Sequence, residues 1–125
     1  GAVDPQAYAR LCHLMRDNHA HEQTEMSVGL FDILTGIQGW FRAYGQDRVI
    51  VVDSGYRTKQ TNDHLENAAR NSQHLVGKAA DIWMPSVPSD YLAKLGLYLK
   101  GGGVGWYPDN GFIHVDDGPI RTWRG

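Results

Sequence analysis

Two short segments of the sequence carry residues that could bind a metal ion. In the first, "HLVGKAAD", His74 is followed seven residues later by Asp81, across Gly77 and two alanines. A carboxylate in a buried strand needs a partner, because an isolated charge in an apolar setting is very costly. A metal ion is one such partner. The alternative is that Asp81 caps a loop while His74 faces solvent, and the spacing alone leaves both interpretations open.

The second segment, "GFIHVDDG", places His114 and Asp116 two residues apart on a predicted strand. Side chains two apart point to the same face of a strand, so these two residues and Phe112 share one face. The residues that point the other way are Ile113, Val115 and Asp117. His and Asp on one face and apolar residues on the other are unusual for a plain core, although an edge strand with a polar outer face has the same pattern.

Together the two segments supply a histidine, an aspartate, a second histidine and one spare carboxylate. A catalytic zinc site needs three protein ligands, an open position for water and a nearby general base. Cys12 is the only cysteine, so the sequence excludes an internal disulfide and a cysteine-rich zinc finger. Any metal ion must therefore bind histidines and carboxylates.

A third segment, "DSGYRT" from Asp53 to Thr58, follows a predicted strand, and loops in that position often bind ligands. The planar guanidinium of Arg57 suits a substrate carboxylate. The alternative for Arg57 is a structural ion pair with Asp53 or Glu66.

Four segments have the apolar spacing or the capping residues of helices. They run from Pro5, after the cap Asp4, to about Asn18; from Val28 to Tyr44, ended by Gly45; from the cap Thr58 to about Arg70; and along "SDYLAKLGLYL", with Ser89 as its cap.

The predicted strands cluster in the second half of the chain. The β-branched run "RVIVVDSG" (48–55) predicts a central strand, and "AADIWM" (79–84) predicts another. Two strands flank the "PDNG" turn in "GGGVGWYPDNGFIHVDDG", and "IRTWRG" predicts a last one. Because the helices come early and the strands late, the sequence favours an α+β fold over a parallel α/β sheet.

The composition is that of a globular protein. The 125 residues suit a single domain (1–125), with 42% hydrophobic and 21% charged residues. A net charge of −2 does not favour binding to nucleic acid or to an anionic membrane, and the apolar runs are too short to span a bilayer. The opening "GAVDPQ" is typical of a trimmed start, so the lack of a visible signal peptide says little about compartment.

Several segments carry a family resemblance. "SGYRT" (54–58), Asn62, "NSQHLVGKAADI" (71–82), "GGVGWYP" (102–108) and "GFIHVDDGPIRTW" (111–123) resemble the DUF882/YcbK-type branch of the M15 peptidases. That branch is similar to zinc D-Ala-D-Ala carboxypeptidases and murein endopeptidases, and it shares their hedgehog-like α+β fold. The resemblance implies a Zn²⁺ ion held by His74, Asp81 and His114.

The sequence departs from other M15 branches at one position. Those branches place an acidic base three residues before the last histidine ligand, and Gly111 stands there in this chain. Asp116 matches the branch's own His-x-Asp pattern, so we predict Asp116 as the general base. Two alternatives are Asp109, in the "PDNG" turn, and a role for Asp116 in orienting a ligand histidine.

The resemblance also implies a substrate and a compartment. We expect a zinc metallopeptidase that hydrolyses cross-link or stem peptides of peptidoglycan, with Arg57 holding a peptide carboxylate and Tyr56 and Ser72 adding hydrogen bonds. The expected location is the periplasm, the cell envelope or the exterior, and the expected state is a monomer. The alternatives are a D-Ala-D-Ala-type carboxypeptidase, a non-catalytic zinc-stabilised wall-binding module, and a secreted antibacterial toxin with the same chemistry.

Overall fold

The computed structural model describes residues 4–65 and 72–125, and within them it confirms the α+β fold. The helices are α1 (Pro5–Leu14), α2 (Val28–Ala43), α3 (Lys59–His64) and α4 (Ser89–Leu99), with a 3-10 turn at Gln73–Val76. The strands are β1 (Val51–Ser54), β2 (Ala79–Trp83), β3 (Gly103–Tyr107), β4 (Phe112–Asp116) and β5 (Arg121–Arg124).

Three of the predicted helix boundaries are confirmed by their caps. Asp4 accepts a hydrogen bond from the Gln6 N–H at the start of α1, and Thr58 accepts one from the Thr61 N–H at the start of α3. Gly45 follows the end of α2 with a φ of 75°, the left-handed conformation that glycine adopts most readily.

Three other boundaries differ from the prediction. Helix α1 ends at Leu14 because the Asp17 carboxylate turns the chain, accepting hydrogen bonds from the next N–H groups at residues 19 and 20. Helix α3 ends at His64, and the rest of its predicted length, through Arg70, lies partly outside the described residues. The N-cap of α4 is Pro88, since the Ser89 hydroxyl instead accepts the Trp106 indole N–H.

The strands form one sheet in the order β1-β2-β4-β3-β5. All neighbouring pairs are antiparallel except β3 and β5, which run parallel. The prediction that β1 is central was wrong, because β1 lies at the edge of the sheet. Its β-branched residues reflect packing of Ile50 and Val52 against the core, which an edge strand can also provide.

The two faces of the sheet have different environments. Ala80, Ile82, Ile113 and Val115 alternate onto the face that packs against apolar residues of α2 and α4. Asp81, His114 and Asp116 alternate with these residues along the same two strands, so their side chains lie on the opposite face. Among the described residues, no helix has the length and hydropathy needed to cross a membrane.

Candidate metal centre

Three predicted ligands lie together on the polar face of the sheet. Asp81 and His114 are direct partners in the β2–β4 register, and His74 reaches them from the 3-10 turn that precedes β2. Asp81 Oδ1 lies 3.2 Å from His74 Nε2 and 3.2 Å from His114 Nδ1. All three side chains are buried, and their ligand atoms lie within 4.8 Å of one another.

The 3-10 turn fixes the position of His74 from both ends. The Ser72 hydroxyl caps the turn by accepting the His74 backbone N–H at 3.2 Å. Gly77 ends the turn with a φ of 71°, and its carbonyl accepts the Ser27 N–H. A Cβ at Gly77 would lie 2.9 Å from the Thr24 side chain, so both the conformation and the space favour glycine.

Each candidate ligand is also held by a group on its far side. His74 Nδ1 lies 2.7 Å from the Gly55 carbonyl, and Asp81 Oδ2 accepts Arg57 Nη2 at 2.8 Å. His114 Nε2 lies 2.6 Å from Asp116 Oδ2. These contacts place the ring protons on His74 Nδ1 and His114 Nε2. The three atoms that face each other are therefore His74 Nε2, Asp81 Oδ1 and His114 Nδ1, and none of them carries a proton when both rings are neutral.

The donor set fits a zinc ion. Zinc binds imidazole nitrogens and carboxylate oxygens at about 2.0–2.2 Å, which places neighbouring donors of a tetrahedral site roughly 3.3 Å apart. The two distances of 3.2 Å from Asp81 Oδ1 agree with that spacing. Three protein donors also leave one position for a water molecule or a substrate, as in catalytic zinc sites.

The charges in the site favour a cation. Burial by itself raises the pKa of the Asp81 carboxyl, but the adjoining rings of His114 and His74 outweigh it and hold that pKa well below its usual range. Burial lowers the pKa of His114, but its hydrogen bonds to Asp116 and Asp81 outweigh that effect and raise it. In the metal-free protein, the two neighbouring carboxylates therefore favour the protonated, positively charged form of the His114 ring.

The position of Asp116 favours the orienting role over the predicted role as general base. The residue is 0% exposed, and its carboxylate faces the nitrogen of His114 that points away from Asp81. Oδ1 accepts the N–H groups of Gly103 and Gly118, and both oxygens accept the guanidinium of Arg121. A carboxylate with both oxygens engaged in this way is a poor acceptor for a proton from water.

A comparison with known families shows which family the chain belongs to. The model of the Peptidase M15_2 family, described as peptidoglycan L,D-endopeptidase MepK, matches residues 1–123. The chain belongs to this family. The M15 resemblance drawn from the motifs is thereby confirmed, and peptidases of the M15 type are generally metal-dependent.

Curated relatives carry the same name. The chain is 35% identical over 119 residues to the peptidoglycan L,D-endopeptidase MepK of Escherichia coli K12, covering 92% of the chain and 64% of that protein. It is 37% identical over 125 residues to a probable MepK of Haemophilus influenzae, covering 97% of the chain and 66% of that protein. The chain thus spans about two thirds of the length of these relatives. No solved structure matches the chain to a significant degree.

Arg57 lies next to a candidate ligand of this centre. Its guanidinium donates to Ser54 Oγ at 3.0 Å, to Asn62 Oδ1 at 3.4 Å and to Asp81 Oδ2 at 2.8 Å. The side chain is 14% exposed. Among the described residues, the acidic partner of Arg57 is Asp81 and not Asp53. The other predicted partner, Glu66, lies outside the described residues.

The other two predicted substrate contacts have different surroundings. Tyr56 is half-buried, and with Arg57 it lines a cavity of about 200 Å³ that Arg16 and Asp53 also border. The Ser72 hydroxyl is engaged in capping the turn that carries His74. Tyr56 is thus at a cavity wall, whereas the described contact of Ser72 is with a candidate metal ligand.

Sequence reasoning missed Arg121 as a member of the site. Arg121 lies in β5, yet its guanidinium reaches the carboxylate of Asp116 in β4, although β3 lies between the two strands. The signal in the sequence is the glycine-rich segment "GGGVG" (101–105), which leaves β3 without side chains at two positions facing the site.

Proposed function

We propose that this chain is a zinc-dependent peptidase that cleaves L,D-bonds in the cross-link or stem peptides of peptidoglycan. The observation that carries the proposal is the buried trio of His74, Asp81 and His114, in which each ligand is held from behind by a separate group. The names of the relatives supply the substrate and the type of bond. A peptidoglycan substrate is found in the cell envelope, and this supports a location there for the protein.

In this proposal, bound zinc supplies a Lewis acid that polarises the scissile carbonyl and activates a water molecule. His74 Nε2, Asp81 Oδ1 and His114 Nδ1 hold the ion. Asp116 keeps the proton of His114 on Nε2, so that Nδ1 stays free to bind the metal.

Arg57 has two tasks in the proposed enzyme. Through Nη2 it fixes Oδ2 of Asp81, which leaves Oδ1 for the metal. A guanidinium has five N–H donors, and the described hydrogen bonds use three of them. Since Arg57 also lines the cavity beside the site, its remaining donors suit a carboxylate of the substrate peptide. Tyr56 forms part of the wall of the same cavity.

Product analysis on defined muropeptides tests the proposal. The protein is incubated with cross-linked and uncross-linked muropeptides, with and without a chelator, and the products are identified by mass spectrometry. We expect chelator-sensitive cleavage of an L,D-bond, and we expect His74→Ala and His114→Ala to lose both the metal and the activity.

The same assay separates the alternatives. Release of a terminal D-Ala alone would indicate a carboxypeptidase. Retention on purified sacculi without cleavage would indicate a wall-binding module. Full metal content in both histidine variants would contradict the ligand assignment itself.

A further inference from the structure

The last strand of the sheet lies beside two glycines of its neighbour. In the parallel pairing of β3 and β5, Gly103 is the partner of Arg121 and Gly105 is the partner of Trp123. On the other side of β3, Gly105 is the partner of His114. Side chains from β5 can therefore cross β3 toward β4 wherever β3 has only a hydrogen in place of a side chain.

Arg121 uses this gap to reach Asp116. Nη1 donates to Oδ1 at 3.0 Å and Nη2 donates to Oδ2 at 2.9 Å, which is the paired geometry in which arginine binds a carboxylate most strongly. Asp116 in turn lies 2.6 Å from His114 Nε2. A chain of hydrogen bonds thus runs from β5 to a candidate metal ligand.

Trp123 reaches the same ligand by ring contact. The centre of its indole lies 5.1 Å from the centre of the His114 ring, and its N–H donates to the Tyr107 hydroxyl at 2.9 Å. The guanidinium carbon of Arg121 lies 5.0 Å above the indole. Because the His74 ring also lies 5.1 Å from the His114 ring, little room is left for His114 to rotate.

The two glycines of β3 are required by space. A Cβ at Gly103 would overlap Nη1 of Arg121 and would lie 2.9 Å from Asp116 Oδ1. A Cβ at Gly105 would lie 2.5–2.7 Å from three atoms of the Trp123 indole. Neither glycine has a positive φ, so an alanine would fit the backbone, and the nearest atoms that its Cβ would meet belong to side chains.

We propose that Arg121 and Trp123 are positioning residues of the metal centre, which hold Asp116 and His114 across the glycine gap of β3 and thereby set the affinity for the metal. The inference rests on the proposed function, because it takes His114 as a metal ligand. It assigns to β5 a role that neither strand pairing nor core packing requires.

The test compares metal affinity in variants of the full chain. Arg121→Gln removes the guanidinium, Arg121→Lys keeps the charge without the paired geometry, and Gly105→Ala displaces Trp123 by a single methyl group. The dissociation constant for Zn²⁺ is measured by competition with a chromogenic chelator. The absorption spectrum of the Co²⁺-loaded protein reports the geometry of the site.

We expect Arg121→Gln and Gly105→Ala to bind Zn²⁺ about 10- to 100-fold more weakly, the range typical for groups that orient a metal ligand. The Co²⁺ spectrum should change in both, and Arg121→Lys should recover part of the affinity. Arg124→Gln is the matched control for Arg121, because Arg124 lies on the same strand and stacks on Trp106. Gly39→Ala is the control for Gly105, since a Cβ there would meet nothing within 4 Å. Both controls should bind like the wild type.

The melting temperature of each metal-free variant separates positioning from mere structural support. Wild-type affinity and spectrum in Arg121→Gln and Gly105→Ala would overturn the inference, whether or not these variants melt earlier. If the wild-type protein itself binds neither Zn²⁺ nor Co²⁺, the proposed function fails and this inference fails with it. That result is visible before any variant is made.

Discussion

Asp116 is the most heavily hydrogen-bonded side chain of the site. Its two oxygens accept five hydrogen bonds, two from backbone N–H groups, two from Arg121 and one from His114. Burial alone raises the pKa of this carboxyl, but these bonds outweigh burial and hold the pKa well below its usual range. At the residue scale, Asp116 is close to a candidate ligand, but its role depends on the groups that its oxygens contact, which are His114 and Arg121.

We expect Asp116→Asn to weaken zinc binding about 10- to 100-fold. The amide cannot accept the His114 N–H and the Arg121 guanidinium as the carboxylate does, so the ring loses the partner that fixes its proton on Nε2. Zinc content and turnover are measured on the same preparations. Normal zinc content with a rate loss of roughly 10²–10⁴-fold would instead support the predicted role of general base.

The controls for Asp116→Asn follow from the surroundings of the other aspartates. Asp47→Asn should change neither the zinc content nor the turnover, because Asp47 pairs with Arg42 at an exposed site. Asp109→Asn tests the alternative base in the exposed turn. Asp117 is unsuitable as a neutral control, since it accepts the Ser27 hydroxyl and lies 3.7 Å from Lys78 Nζ.

We expect Arg57→Lys to lower kcat/KM by about 10- to 100-fold, the value of one charge-assisted hydrogen-bonded contact. Lysine keeps a positive charge beside Asp81 but cannot contact Ser54 and Asn62 at the same time. The melting temperature should stay near that of the wild type. Steady-state kinetics and thermal melts are compared with those of Arg42→Lys, an exposed arginine. A large fall in melting temperature with intact activity per folded molecule would show that Arg57 is a structural ion-pair residue.

At the scale of elements, the loop after β1 connects both sides of the site through the backbone. The Gly55 carbonyl holds His74 Nδ1, the Arg57 N–H donates to the His74 carbonyl at 3.0 Å, and the Tyr56 N–H donates to the Met15 carbonyl at 2.7 Å. The loop thus joins the end of α1 to the 3-10 turn, and the position of His74 depends on both.

Gly55→Ala should destabilise the protein by about 1–3 kcal/mol and weaken zinc binding. A Cβ at Gly55 would lie 2.6 Å from the Met15 carbonyl oxygen, so the loop must move away and carry the His74 partner with it. Chemical denaturation and zinc competition provide the two measurements. Gly39→Ala is a control with the opposite expected effect. It should raise the free energy of unfolding by up to about 1 kcal/mol, because alanine favours a helix more than glycine does. Unchanged zinc affinity in Gly55→Ala would contradict the described role of the loop.

The elements also show what the sequence could and could not predict. Alternation along β4 predicted that His114 and Asp116 share a face, and helix caps such as Thr58 were predicted from local chemistry. The edge position of β1 was not predictable, because a β-branched run does not specify its neighbours. The bonds of Asp116 to Arg121 depend on a parallel pairing of β3 and β5 that no local pattern encodes.

At the scale of the whole molecule, the sheet separates stability from chemistry. One face packs against helices, and the other carries the three candidate ligands, for which protons and metal ions compete. The stability of the protein should therefore depend on pH in opposite ways with and without metal.

The metal-free protein should lose stability as the pH rises above the ordinary pKa of histidine, about 6.5. His114 has a raised pKa when folded, so its protonated form stabilises the folded state fully below its ordinary value of about 6.5, and that stabilisation is lost as the pH rises through the higher folded value. Zinc binding requires the neutral ring, so the gain in melting temperature from zinc should grow over the same range.

Thermal melts from about pH 5.5 to 8.5, with excess zinc or with chelator, measure this difference. His114→Asn should abolish the zinc-induced gain and should also remove the part of the pH dependence of the metal-free melting temperature that His114 causes. His13→Gln, on an exposed part of α1, should leave both unchanged. A zinc-induced gain that is constant across the range would contradict the competition between proton and metal at His114.

The position of β5 in the chain affects when the centre can form during synthesis. A ribosome delivers Gly55 and His74 first, Asp81 and His114 later, and the Arg121 and Trp123 side chains that cross the glycine gap last. A nascent chain that has not yet emerged beyond residue 123 lacks the strand that holds Asp116 and His114 in place. If metal capture needs that strand, a chain that stalls before residue 121 carries the candidate ligands but binds the metal weakly.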